Sequence, residues 1–345
     1  MRMADPYPHT FRGGADNAEH TTAGSMRVYQ VWQGSNKFLF GGRLVFGPDG
    51  ALLFLTLFLI IAPIVVFCVF VAKNFVNEFP HHSGVAIIVV AVAHTIVIVV
   101  LLLLTSGRDP GIIPRSNVPP PPVLEEGTGS SLDEQNVPTE DVLVNGKMVK
   151  VALKYCVTCK LYRPPRCSHC SRCNNCIDGF DHHCPWVGQC IGRRNYRHFF
   201  WFLLTSTLLC LFIIAMCALH IKKLMDGDPP LTVRRALQKS PASVAIMAYG
   251  SLATWFVGGL TAFHLYLISR NRTTYENIRY RNTQRGNLYN KGVLRNFQEV
   301  LCFPIPPSKV NFRALVLPEA TWFVNANLQQ QGTRNEMTVT VRDDT

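Results

Sequence analysis

At 345 residues the chain could hold two ordinary soluble domains, yet its apolar residues, 48% of the total, fall into four long blocks instead of spreading as a soluble core requires. The formal charge of +12 lies outside those blocks and admits three partners: nucleic acid, an anionic lipid surface or a polyanionic small molecule. The blocks disfavour the first of these.

Residues 1–50 are polar and glycine-rich and read as a cytosolic N-terminal region. Neither a secretory signal nor an N-myristoylation signal is expected, since no basic start leads into an apolar core and Arg2 follows Met1 where glycine would be needed. The apolar blocks span residues 51–72, 84–105, 199–220 and 242–268, each close to the ~20 residues a helix needs to cross the hydrocarbon layer. Their apolar character covers all faces, which points to lipid contact and not to a one-sided soluble helix. The fold class is therefore an all-α polytopic membrane protein with four transmembrane helices. Pro63 and the Gly258-Gly259 pair fit kinks or close helix packing. His94 in the second block reads as a helix–helix contact, while His264 in the fourth is left open.

Of 34 Lys and Arg residues, 28 lie in 1–50, 106–197 and 269–345, against 6 in the short connections 73–83 and 221–241. The positive-inside rule puts both termini and the loop between the second and third helices in the cytosol. Five of the six minority charges crowd into 221–241 and pull the other way. The cysteines supply an independent argument for the same side. Within the loop, 106–152 is a linker, with a flexible Pro-, Gly- and Ser-rich stretch at 114–140. Residues 269–345 form a cytosolic C-terminal region whose last ~25 residues read as a loosely ordered tail.

The remainder of the loop, 153–197, holds eight of the twelve cysteines and three histidines. It reads Cys156-x2-Cys159, His169-Cys170-x2-Cys173-x2-Cys176, Asp181-His182-His183-Cys184 and Cys190. Cysteine and histidine at such spacing indicate metal and not disulfides, hence a reducing compartment. Zinc at a structural site takes four nitrogen or sulfur ligands, so this segment provides for at least two ions. A segment so poor in large aliphatic residues needs metal to fold. Eight cysteines and three histidines exceed the eight ligands of two ions, and Cys184 is a notable candidate for a spare. A cysteine beside zinc-bound groups and a histidine can be a thiolate, and Asp181, His182 and Cys184 form a candidate orienter, base and nucleophile. Spacing does not decide which histidine binds metal, nor whether Cys184 is itself a ligand in a purely structural module. Because the third helix follows Cys190 within a few residues, Cys184 lies close to the membrane surface, which suits a lipid-tailed substrate. Arg163, Arg166, Arg193 and Arg194 suit a phosphate-bearing headgroup or, equally, solvent and anionic lipid.

Asp181-His182-His183-Cys184-Pro185-Trp186, with the preceding cysteine pattern, resembles the DHHC family of protein S-acyltransferases. Asp109-Pro110-Gly111 resembles the family's DPG element and Thr273-Thr274-Tyr275-Glu276 its TTxE element. Asn296-Phe297 followed by Val300 resembles its C-terminal motif. The likeness covers roughly residues 50–302, and the run from Arg27 to Asp49, with Trp32-Gln33-Gly34 and Gly41-Gly42-Arg43, is similar to plant members. The resemblance implies one zinc on Cys156, Cys159, His169 and Cys176 and another on Cys170, Cys173, His183 and Cys190, with Cys167 as filler. It implies His182 as base, oriented by Asp181, and Cys184 as the nucleophile that accepts the acyl group of palmitoyl-coenzyme A. Arg163, Arg166 and Asn296 are the residues assigned to the coenzyme A side of the site, Asn296 and Thr274 being better suited to bracing it. The implied partners are acyl-coenzyme A, cysteine-bearing membrane-associated proteins and the bilayer, without nucleic acid. The implied location is the plasma membrane, or else the Golgi or another endomembrane, with the site on the cytosolic face. Against this stands a non-enzymatic zinc scaffold, in which replacing Cys184 would change only local structure.

Overall fold

The computed structural model describes residues 26–78, 83–116, 138–144, 147–279 and 287–316. The N-terminal residues 1–25, most of the 114–140 linker and the C-terminal tail lie outside them. Two units are distinguished. In the smaller, Arg27 bridges Leu315 and the Val28 N–H donates to the Ala314 carbonyl at 3.0 Å. The larger, Trp32–Arg313, carries everything that follows.

Four helices are long and apolar enough to span a membrane: Gly50–Val76, Gly84–Ser106, Tyr196–Met225 and Pro241–Arg270. Few of their side chains are fully buried inside the protein, and every span leaves large apolar groups exposed, as contact with lipid requires. Phe54, Phe58, Trp255 and Phe256 are among these exposed groups. Thr95 and Thr105, both buried, return their hydroxyls to the carbonyls of Ala91 and Leu101 four residues back. The third span packs on both the second and the fourth, and the first on the second and fourth. Their shared core includes Phe67, Phe75, Ile98, Leu102, Leu203 and Ile213.

Irregular turns interrupt two spans. The first, with Pro63 and its missing N–H, widens to a π-turn at Cys68–Ala72. The fourth begins with Pro241 in its first turn, where a missing donor costs nothing, and widens at Thr254–Gly258. It stops at Asn271, whose left-handed conformation (φ 49°) closes the helix.

Between the second and third spans the described chain is built of antiparallel hairpins. The first joins Thr139–Val144 to Lys147–Ala152. Three smaller ones follow, Lys154–Cys156 with Leu161–Arg163, Ser168–Cys170 with Asn175–Ile177, and His182–Cys184 with Gln189–Ile191. The fold is thus helical across the membrane, with a cysteine-rich domain of short strands added to it. That domain is pinned to the end of the second span. The Gln189 amide donates to the carbonyls of Thr105, Ser106 and Arg108, and Asn195 donates to Thr105 at 3.0 Å. Asp109 accepts from the N–H groups of Gly111 and Ile112 with one oxygen and from Arg194 (2.6 Å) and Ser308 with the other.

Candidate active site and metal centres

Strand geometry decides how neighbouring residues of the cysteine-rich domain divide their work. Successive side chains on a strand point to opposite faces, and residues opposite each other across a hairpin share one. In the middle hairpin His169 stands opposite Cys176, and in the last His183 stands opposite Cys190. His169 and Cys170, adjacent in sequence, therefore turn to different clusters. The structure gathers Cys156, Cys159, His169 and Cys176 into one set and Cys170, Cys173, His183 and Cys190 into another, each with all ligand atoms within 4.8 Å. His169 Nδ1 lies 3.4 and 3.9 Å from the sulfurs of Cys159 and Cys176. His183 Nδ1 lies 3.7, 3.3 and 3.6 Å from those of Cys170, Cys173 and Cys190. A zinc tetrahedron with ordinary bond lengths sets sulfur and nitrogen about 3.5 Å apart, so both donor sets fit that ion. Cys167 belongs to neither set.

The same alternation separates the two central histidines. His183 points to the second cluster, while His182 and Cys184, two residues apart, share the opposite face. His182 Nδ1–H donates to Asp181 Oδ2 at 2.7 Å, and Cys184 is its other hydrogen-bonding neighbour. Burial pulls the imidazole pKa down, but the Asp181 and Cys184 hydrogen bonds and charges outweigh it and push it up to about 9. Burial likewise opposes ionisation of Asp181, whose pKa is nonetheless held below the usual carboxylate value by His182 and the Thr274 N–H. At neutral pH the pair is carboxylate and imidazolium.

Asp181 is almost fully buried, and the chain beyond the fourth span closes on it. The short helix Thr274–Arg279 begins with a reciprocal cap: the Glu276 N–H donates to Thr273 Oγ1 (3.1 Å), and the Thr273 N–H to Glu276 Oε2 (2.9 Å). That leaves Thr274 free to donate its N–H (2.8 Å) and hydroxyl (2.7 Å) to the two Asp181 oxygens. Tyr275 N–H donates to the Asp181 carbonyl. Glu276 also takes Arg166 through two bonds of 2.7 and 2.8 Å, and Arg166 reaches Asn271 and stacks over Tyr289. Most of the Arg166 donors are thus engaged within the protein. Asn296, fully buried in the helix Val293–Leu301, donates to Ser269 O and Asn290 Oδ1 and accepts from the Lys291 N–H. Arg163 is half-buried, with one bond to the Tyr155 carbonyl. Arg194 is committed to Asp109, and Arg193 is mostly exposed.

The other side of the His182–Cys184 face meets the membrane bundle. Cys184 is buried in the same apolar cluster as Leu53, Phe199, Phe202 and Leu203. His264, open from sequence, is buried with its ring 6.2 Å from that of His182 and its Nδ1 3.0 Å from the Tyr196 hydroxyl. His94 is half-buried in the second span.

The DHHC palmitoyltransferase family model matches residues 150–281. Protein S-acyltransferase 8 of Arabidopsis thaliana is 53% identical over 303 residues, covering 86% of this chain and 74% of the relative. The chain belongs to the DHHC palmitoyltransferase family. Probable protein S-acyltransferase 6 of the same plant is 54% identical over 294 residues, covering 84% of this chain and 71% of its own length. Probable protein S-acyltransferase 5 is 49% identical over 325 residues, at 92% and 68% coverage. This DHHC chain is accordingly an acyltransferase of the membrane. Several residues around its site carried no spacing signal in the sequence: Tyr196, Phe199 and, at the second metal cluster, Asp49.

Proposed function

We propose that this enzyme moves a long-chain fatty acyl group, chiefly palmitoyl, from acyl-coenzyme A to cysteine thiols of membrane-associated proteins through a thioester on Cys184. One observation carries the reading: a cysteine with a charged His–Asp pair on its polar side and the apolar core of the bundle on the other. The Cys184 thiolate attacks the thioester carbonyl, a new carbon–sulfur bond forms, and the bond to coenzyme A breaks. The departing coenzyme A thiolate takes the proton held by His182. In the second half His182 accepts the proton of the substrate cysteine, whose sulfur takes the acyl group and releases Cys184. Thioester exchange leaves bond types unchanged, so positioning and charge supply most of the catalysis. Asp181 accepts from Nδ1–H and so orients His182 with Nε2, the nitrogen that gives up and regains the proton, toward Cys184, and Thr274 holds Asp181. Zinc, when bound to the two clusters, supplies the cross-links that keep the hairpins folded.

The buried, intramolecular bonds of Arg166 and Asn296 favour bracing roles for both, which leaves Arg163 as the better arginine for coenzyme A phosphates. The acyl tail would run among the spans beside Leu209, which is buried in the cluster, whereas Leu208 faces outward. The Lys and Arg bias and the metal-type grouping of the cysteines and histidines favour the cytosolic face. By its resemblance to plant members of the family we place the enzyme at the plasma membrane, with the Golgi or another endomembrane as the alternative.

Purified protein incubated with labelled palmitoyl-coenzyme A should carry hydroxylamine-sensitive label, lost in Cys184→Ser and kept in Cys302→Ala. Undiminished label in Cys184→Ser, or none in folded, zinc-loaded wild type, would sink the transferase mechanism and favour the scaffold.

A further inference from the structure

The segment between Trp32 and the first span lies along the second metal cluster. Asp49 occupies the N-cap position of that span, where an aspartate ordinarily accepts from the first-turn N–H groups, yet its side chain makes no such bond. It turns away instead. His183 Nε2–H donates to Asp49 Oδ2 at 2.7 Å, and Arg172, between Cys170 and Cys173, donates to Oδ1 at 2.6 Å. His183 faces the sulfurs with Nδ1, so the proton must sit on Nε2, where Asp49 meets it. A histidine ligand oriented and made more basic by a carboxylate on its far nitrogen binds metal more tightly.

The rest of the segment is fitted to the same cluster. The Ser35 N–H donates to the carbonyl of Cys173 (2.9 Å), and Asn175 donates to Asn36 Oδ1 (2.6 Å). A Cβ at Gly34 would come within 2.5 Å of the Asn175 side chain, and one at Gly47 within 2.2 Å of the Gly188 carbonyl, so both approaches need glycine. These contacts reach both hairpins that supply ligands to the second cluster.

We infer that residues 34–49 are a clasp over the second zinc site, with Asp49 the positioning residue that orients His183 and slows escape of that ion. The clasp also ties the metal centre to the start of the first span. The inference rests on the reading of the second cluster as a zinc site, and its test is made on the intact protein in detergent. Zinc released to a chromophoric chelator is followed over time for wild type, Asp49→Asn, Asp49→Ala and Asp49→Glu. Wild type should release two ions per chain. In Asp49→Ala one equivalent should leave about 10–100-fold faster while the other keeps its wild-type rate, Asp49→Asn should fall between, and Asp49→Glu should restore slow release. Two wild-type rates in Asp49→Ala would overturn the inference. So would equal acceleration of both ions, which would make Asp49 a support of the whole domain and not of one site. A wild type without zinc would fail the metal-site reading itself, and the inference with it.

Discussion

His182 shows how one side chain's surroundings set its state. Its pKa of about 9 lies above the ~6.5 of a free histidine, so its contribution to stability is complete below about pH 6.5 and lost as pH rises through 9. Asp181, shifted down, contributes in the opposite sense: its share is present above the ordinary carboxylate value of ~3.9 and lost as pH falls through its lower folded value. The melting-temperature advantage of wild type over His182→Gln should therefore shrink between pH 6.5 and 9.5. An advantage that stays constant over that range would mean that His182 is not held protonated. Thr274 acts one bond further out. Thr274→Val removes a hydroxyl from a buried carboxylate, a loss worth about 1.5–3 kcal/mol, and should slow self-acylation roughly tenfold or more with zinc content intact. The family resemblance pointed to Thr274, because the motif lies in a row; the reason for it, a first-turn N–H and hydroxyl aimed at Asp181, appears only when residues 93 positions apart meet.

At the scale of elements, two local rules explain most of the site. The two-residue period of a strand sends His183 to the second cysteine set and leaves His182 with Cys184, so the DHHC run needs a strand and not a helix to separate the two histidines. The capping box of Thr273 and Glu276 starts the helix that closes on Asp181, and Glu276 then binds Arg166. Breaking that partly buried pair by Glu276→Gln should cost about 2 kcal/mol, less than a fully buried pair would, and a double-mutant cycle with Arg166→Gln should show that the two losses are not additive. Additive losses would mean that the pair is not a functional unit. Its charge, taken with the family resemblance, points Arg166 to coenzyme A phosphates. Burial and partner geometry, invisible in the sequence, favour the brace.

For the whole molecule, the spans and the cysteine-rich domain are stabilised by different means. The helices satisfy their own backbone groups and meet lipid, whereas the domain's small hairpins depend on their two ligand sets. Chelation should therefore leave helical circular dichroism nearly intact while opening residues 153–197 to protease and abolishing self-acylation. Loss of helix in parallel would show that the domain and bundle fold as one cooperative unit. The docking bonds of Gln189, Asn195 and Arg194 at the end of the second span set the height of Cys184 against the bundle.

By itself the sequence determined the four spans, the metal-binding character of the loop and the family, because hydropathy over ~20 residues and Cys-x2-Cys spacing are local signals that later packing cannot reverse. Only the tertiary structure decided what Asp49, Tyr196, His264 and Arg166 touch. Each meets its partner across a gap of many residues in the chain, and such contacts are set by how the hairpins sit on the bundle, a relation no short pattern encodes.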